Sequence, residues 1–530
     1  MREKHRKVKV LHIGNIANYA YNVAKVLQTE EIESHVIAWD YYHINAQPIW
    51  EEGDFDASQV GDHYFPRLPN PREADFELPR WYWHGPRRLA VLGLIANNEG
   101  QLCRAAALRF LIKRYLRRIA DSSYREEDAK TGRTRIKEAL ATILVTGSVP
   151  PHWLILIDQW LRAKAWGWLF TPMAGSAIAR AKRKAATPPK LEVVEARAFE
   201  ERTESLLAQY RADWPDRVID PALLKQFGVD LSLMQRLFGH YDVIIGYAID
   251  GIWPLMAGKP MLAYEFGTIR NLPFENGFMG QLASVVYRNS ALTIVTNCDN
   301  EAPAKRLGRP YRFLPHVINE GGRIDHAHEI RQELVSKYGG SFYVYHPPRQ
   351  HWDETRNTNW DKGNDKLFRG FARLINKHGI DARCVAVNWG DTLVESKALV
   401  NDLGIADKVI WVDPLPHRRM MRMIAAVDAV ADQFTIPTFG GIPPKAFYAG
   451  RPVVTCFNPE LHRWCFGNLP PLLSASTPDE IEKALVKLAK EPTFAKDLAN
   501  RAERWYHDEN SNAHIRKILC DIIWNTHTKC

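Results

Sequence analysis

The chain has 530 residues, 46% of them apolar, which suits two to four ordinary domains and argues against wholesale disorder or a fibrous repeat. No apolar run reaches the roughly 18 residues of a membrane span. The formal charge of +9 is uneven: 21 Lys/Arg against 7 Asp/Glu lie between Arg80 and Lys190, a local surplus larger than that of the whole chain. Such a patch attracts nucleic acid, anionic lipid or a phosphorylated substrate, and its sign alone does not choose among them.

In chain order, the basic start runs straight into VKVLHI at 8–13, which has the length of a strand and not that of a secretory apolar region. Gly14-Asn15, a helix over Tyr19–Gln28 and a strand at His35–Trp39 then open an α/β unit. The loop GNIAN has one glycine, so it is not the dinucleotide fingerprint; Gly14 and Asn15 sit where ligands of such sheets bind, although a close approach at a strand end explains them equally. From about 65 to 235 the alternation gives way to long helical patterns, read as a basic helical insertion. It includes Gln101–Ala120, the tryptophan-rich His152–Phe170, a basic linker at Ala177–Pro188 and Leu191–Tyr210. Its basic and aromatic faces suit either an anionic membrane surface or plain packing with a solvated face. It lacks a recognisable reading module, so no nucleic-acid partner is expected.

The α/β rhythm resumes with strands at Tyr241–Gly246, Pro260–Tyr264, Leu292–Thr296 and Tyr311–Pro315, with a helix through Gly280–Asn289. A second unit follows, with strands at Phe342–Tyr345, Cys384–Val387, Val409–Trp411 and 452–455. Between and after them come helices at Lys366–Lys377, Leu393–Leu403, His417–Ala426 and Pro478–Lys490. Three units are expected: 1–320, including the insertion; 321–505; and a C-terminal helix, 506–530, crossing back onto the first. The seven cysteines contain no CxxC unit, which fits a reduced, cytoplasmic protein. No metal site is expected, because neither HExxH nor a Cys/His cluster appears.

Candidate chemistry lies beyond strand ends. Arg349, Arg356 and Lys362 follow the first strand of the second unit, where cations could pair with diphosphate oxygens or merely solvate a loop. In PTFGGIPPKAFYAGRPVVT, Gly440-Gly441 permits close backbone approach and Lys445 falls in the first turn of a helix, where an anion at the glycine turn would face backbone N–H groups and the Lys445 ammonium; an ordinary capped helix explains the segment equally. Glu265 and Arg270, in YEFGTIR, are candidates for acceptor or leaving-group contacts, and a surface salt bridge explains them equally.

KGND at 362–365, CVAVNWGD at 384–391, LGIADKVIWVDPLP at 403–416, AVDAVADQFTIPTFGG at 426–441 and AFYAGRPVV at 446–454 keep a fixed order. In these segments the C-terminal half resembles retaining glycosyltransferases of the GT-B fold, the family 4-like group (glycosyl transferases group 1). The resemblance implies an α/β protein of two Rossmann-like domains facing a cleft, with the helical insertion in the first. It also implies sugar transfer from a UDP- or GDP-linked donor to a glycan or lipid-linked acceptor, in surface polysaccharide or glycoconjugate synthesis. The donor would be a substrate and no cofactor is implied; a peripheral site on the inner face of the plasma membrane would fit such an acceptor. By position, Arg349, Arg356 and Lys362 would meet the diphosphate, Gly390 the nucleotide, Val412 and Leu415 the base, and Gly440 and Gly441 the sugar-diphosphate turn. The family usually has a glutamate for the ribose where this chain has Lys445, which cannot accept a hydroxyl hydrogen bond. Its R–L–x–x–x–K–G spacing is also stretched, with thirteen positions from Arg349 to Lys362. Two rivals therefore stand beside the transferase: an epimerase or hydrolase acting on the same donor, and a non-catalytic glycan-binding or assembly protein with a degenerate donor site.

Overall fold

Two all-parallel sheets organise the computed structural model, which describes residues 7–39, 41–61, 66, 68–69, 73–122, 190–215, 217, 219–228, 230–321, 324–352 and 361–527. The first contains β1 (Val8–Ile13), β2 (Ile32–Ala38), β3 (Tyr82–His84), β4 (Val243–Tyr247), β5 (Leu262–Tyr264), β6 (Leu292–Val295) and β7 (Tyr311–Phe313), in the order β3-β2-β1-β4-β5-β6-β7. The second contains β8 (Phe342–His346), β9 (Ala382–Val387), β10 (Val409–Val412), β11 (Ala429–Ala431), β12 (Val453–Thr455) and β13 (Leu473–Ser474), in the order β10-β9-β8-β11-β12-β13. This is the two-lobed α/β architecture expected of the GT-B fold. Central strands covered by helices on both faces must be apolar throughout, and β4, β8 and β9 are buried at every position.

The helices that shape the cleft and its supports are α1 (Tyr19–Leu27), α2 (Pro48–Glu52), α3 (Arg87–Asn98), α4 (Leu102–Ser122), α5 (Lys190–Asp213), α6 (Phe278–Asn289), α7 (Asn364–Asn376), α8 (His417–Ala426), α9 (Ile442–Tyr448), α10 (Pro492–Glu509) and α11 (Asn512–His527). The segment expected as one C-terminal helix, 506–530, holds the end of one helix and then a second, Asn512–His527. α10 buries Trp505 and Tyr506 in the second lobe, and α11 buries Ile515, Leu519, Ile522 and Ile523 against Val10, Val23 and Ile245 of the first. Glu320 fixes the break, accepting hydrogen bonds from Tyr506 Oη and Asn512 N, both at 2.7 Å.

Three strands escaped the sequence reading. β3 lies inside the segment read as helical, and β11 and β13 have three and two residues, too short to display a period or a bounded apolar run. β3 pairs in parallel with β2 at the sheet edge, Val36 opposite Tyr82, so the helical part of the insertion starts after it. In α4, Ala105 and Ile112 pack into the first lobe while Leu102 and Phe110 stay exposed. The segments His152–Phe170, with its tryptophans, and Ala177–Pro188 lie outside the described residues.

In both sheets the strand order reverses once, between β1 and β4 and between β8 and β11. Open α/β sheets bind ligands beyond the carboxyl ends of their strands at such a reversal, where the flanking loops part and leave a crevice.

Candidate functional site between the lobes

Beyond β8 and β11 the loops are tightly cross-tied. Lys362 N donates to His351 O at 2.7 Å, and Phe434 N donates to Lys362 O at 2.8 Å. Asn364 Oδ1 accepts from His351 N at 2.9 Å. Gly363 has φ +63°, and a Cβ there would lie 2.9 Å from Thr435 Oγ1, so the turn before α7 requires glycine. These ties hold Lys362 with Nζ donating to Gln433 Oε1 at 2.7 Å, beside buried Asp432. Burial pushes the Lys362 pKa down, and the charges of Arg349 and Arg270 push it the same way against Asp432. Burial also raises the Asp432 carboxyl to about 6, opposed by Lys362. Arg270, from the first lobe, is held by Nε donating to Asp299 Oδ2 at 2.6 Å.

The fold therefore brings Arg270 of one lobe to Arg349 and Lys362 of the other. Three cations share this corner with Asp299 and with Asp432, whose carboxylate form burial disfavours. An anion entering between them relieves like-charge repulsion, which is the electrostatic condition for holding a diphosphate. Arg356 lies outside the described residues.

The glycines singled out in the sequence separate into two kinds. Gly14 (φ +92°) and Gly390 (φ +135°) are demanded by the fold: a Cβ would lie 2.4 Å from Asp250 Oδ2 in the first and 2.2 Å from Gln350 O in the second. At Gly441 φ is −76°, and a Cβ would meet nothing within 4 Å. At Gly440, also without positive φ, it would meet only Asp432 Oδ2, at 4.0 Å. Neither backbone nor packing requires glycine at these two positions, and both leave space beside the cations.

Two other sequence candidates are occupied by the protein itself. Asn15 Nδ2 donates to Asn18 Oδ1, Ala46 O and Tyr82 Oη, while its Oδ1 accepts from Tyr21 N. Glu265 is fully buried and accepts from Gly267 N, Thr296 N and Asn300 Nδ2, tying the loops after β5 and β6. Burial raises its pKa against these hydrogen bonds. In this structure Glu265 organises the loop that carries Arg270 instead of facing the cleft. Val412, at the end of β10, and Leu415 are half-buried, packed against the second lobe's core; Val412 O accepts from Asn388 N at 2.7 Å.

Sequence reading missed the partner of Lys445. α2 docks on α8 across the lobe boundary and brings buried Glu51 to it: burial lowers the Lys445 pKa and raises that of Glu51, and each charge opposes the other's shift. His417 donates from Nε2 to Asn319 O at 2.9 Å, so its other ring nitrogen, 3.4 Å from Glu51 Oε2, carries only a lone pair. Burial first, then the Lys445 charge, keeps His417 and His316 neutral, with pKa values of about 3 and about 4. No sequence signal marks Glu51, because the contact joins residues nearly 400 positions apart.

Glu51 and Lys445 line a cavity of about 200 Å³ together with Gly441 and the loop after β1, where Ala17 adopts φ +49°. Positive φ at alanine is strained and must be held by its surroundings, a condition that clusters at ligand sites. Among the described residues, no group of three or more His, Cys, Asp or Glu side chains is placed to hold a metal ion.

No protein-family model matches the chain, and no curated protein does. Solved structures resemble it at low identity. HepE of Anabaena, in complex with UDP and glucose, is 16% identical over 57% of this chain and 83% of its own, with a TM-score of 0.47. Sucrose-phosphate synthase of Thermosynechococcus elongatus is 16% identical over 58% of this chain and 80% of its own, with a TM-score of 0.44. A glycosyltransferase of Rickettsia africae is 13% identical over 59% of this chain and 83% of its own, with a TM-score of 0.43.

Proposed function

We propose that this chain binds a nucleoside-diphosphate sugar, UDP- or GDP-linked, and transfers its sugar with retention of configuration to a glycan or lipid-linked acceptor. The observation that carries the reading is the convergence of Arg270, Arg349 and Lys362 from opposite lobes beside the open Gly440-Gly441 turn. As the sugar–oxygen bond breaks, negative charge grows on the leaving diphosphate. Fixed cations lower that barrier, one well-aligned group being worth about 3 kcal/mol, or roughly a hundredfold in rate. The leaving phosphate then takes the acceptor proton on the same face, so no protein nucleophile is required. Glu265, spent on Gly267, Thr296 and Asn300, is not assigned as the base.

Calorimetric titration of the full chain with UDP and GDP tests this reading, followed by mass detection of products from the sugar-linked forms. Binding is expected for one of the two, and absence of binding by both rejects it. A second reading is the same donor chemistry without an acceptor, as in an epimerase or hydrolase. It draws support from the cavity's size, which suits one small ring. Donor turnover that persists without any acceptor decides for it.

For the insertion we propose peripheral contact with an anionic membrane on the cytoplasmic side. No described helix is long and apolar enough to cross a membrane. However, α4 exposes Leu102 and Phe110 on the same helix as exposed Arg104, Lys113, Arg114 and Arg117. Flotation with phosphatidylserine vesicles should occur at low salt and fade at high salt, and no association at low salt refutes the contact.

A further inference from the structure

Acceptor atoms without partners gather at the cavity between the lobes. Glu51 Oε2, Asn22 Oδ1, Asn45 Oδ1 and His316 Nδ1 are buried and make no hydrogen bond among the described residues, and all four residues line the cavity. A buried acceptor left unpaired costs about 1–3 kcal/mol, so four around one space favour an occupant that brings donors. The same cavity presents Lys445, which carries donors only, and Tyr19 and Trp50 add aromatic walls. A volume of about 200 Å³ holds roughly half a dozen waters at ~30 Å³ each, or one small ring.

The chemistry of the occupant follows from these groups. A phosphate or carboxylate would meet Glu51, an ammonium would meet Lys445, and an apolar ring would leave the acceptors unpaired. Hydroxyls satisfy both sides, because each donates one hydrogen bond and accepts others. The glycine turn links the cavity to the cation corner: Gly441 lines the cavity, and a Cβ on neighbouring Gly440 would lie 4.0 Å from Asp432 Oδ2.

The geometry points to a ring subsite in which an uncharged sugar donates hydroxyl hydrogen bonds to Glu51, Asn22 and Asn45 and accepts one from Lys445, gripped by both lobes at once. It rests on the nucleotide-sugar reading above and adds a ligand class and a charge pair to it. Glu51 and Asn22 belong to the first lobe and Lys445 to the second, so the ring is read only when the lobes are together. The same pair discriminates against uronate and amino sugars.

The test uses the full chain, wild type, Glu51→Gln and the double variant Glu51→Gln/Lys445→Met. The double variant avoids leaving a buried carboxylate without its counter-charge, and thermal unfolding checks that both are folded. Probes are UDP and GDP, UDP-glucose and GDP-mannose, and methyl glucoside and methyl mannoside with and without nucleotide. Both variants should lose roughly tenfold more affinity for a sugar-bearing probe than for the bare nucleotide, each relative to wild type. Loss confined to the sugar nucleotides assigns the ring to the donor, and loss confined to the glycosides assigns it to the acceptor. Unchanged affinity of both variants for every sugar-bearing probe overturns the subsite, as does a wild type whose affinity no sugar ring improves. If neither nucleotide binds, the proposed function falls, and the glycosides alone still decide the subsite.

Discussion

Gly441 and Gly390 look alike in the sequence and act oppositely in the structure. Gly441→Ala places a methyl in open space at an ordinary φ, so thermal stability should hold or rise by about 0.4–1 kcal/mol as the unfolded chain loses freedom. Nucleotide affinity should fall in the same variant, and unchanged binding would remove the glycine turn from the site. Gly390→Ala forces a Cβ to 2.2 Å from Gln350 O at φ +135°, and unfolding should show a loss on the order of 1–3 kcal/mol. Lys362→Met should weaken diphosphate binding roughly a hundredfold, since it removes a cation held in place by Gln433. A tenfold or smaller loss would shift the diphosphate onto Arg270 and Arg349. The sequence identified Lys362 and Gly441 from their place after strands, but nothing in it separated an open glycine from a crowded one. That distinction depends on Gln350 and Asp250, which approach from the segments that follow β8 and β4.

Among the elements, α8 docking on α2 decides how the cleft is framed. Arg422 reaches Asp54 at 2.6 Å, Arg419 reaches Asp54 and Asp56 at 3.3 and 3.4 Å, and Arg418 reaches Asp75 at 3.4 Å. These pairs are partly exposed, so each is worth about 0–1 kcal/mol and together they set lobe orientation more than stability. Arg419→Ala/Arg422→Ala should therefore leave the unfolding midpoint nearly unchanged while raising the radius of gyration in X-ray scattering. High salt should do the same to the wild type. A radius insensitive to both would show that packing alone holds the lobes. The bounds of α8, His417–Ala426, coincide with the sequence expectation because its apolar positions recur at helical spacing. Its function as a docking surface was not legible: HRRMMR reads equally as a solvated basic face, and only the fold brings Asp54, Asp56 and Asp75 to meet it.

Over the whole molecule, burial leaves an unusual set of neutral histidines. His12 and His417 are lowered to about 3, and His84, His316 and His346 to about 4, each by burial first. An unfolded histidine gains its proton below about 6.5, which these folded ones refuse, so their support is present above that pH and lost as pH falls toward 4. Asp432 runs the other way: its carboxyl is raised to about 6, so its contribution declines as pH rises from about 4 to 6. Glu51, Glu265 and Asp365, each raised by burial, run the same way as Asp432, and the five histidines outnumber these four carboxyls. Urea unfolding should therefore show stability falling between pH 7 and 5, by about 1.4 kcal/mol per pH unit for each histidine in full effect, with net proton uptake. A flat profile, or proton release, would show that these rings are charged in the folded protein.

What the sequence determined by itself is the α/β rhythm, the two-lobed architecture and the position of the strand-end loops, because apolar periodicity and glycine–proline punctuation are local. It also placed Lys362 and Gly440-Gly441, whose neighbours along the chain prescribe strand, turn and helix. Tertiary structure alone decided that Arg270 joins Arg349 and Lys362, that Glu265 is consumed by its own loops, and that Lys445 faces Glu51. These pairings join different loops, from about 30 positions apart for Glu265 and Thr296 to nearly 400 for Lys445 and Glu51; they are governed by how two sheets and their loops pack, and no local pattern encodes which buried charge will meet which.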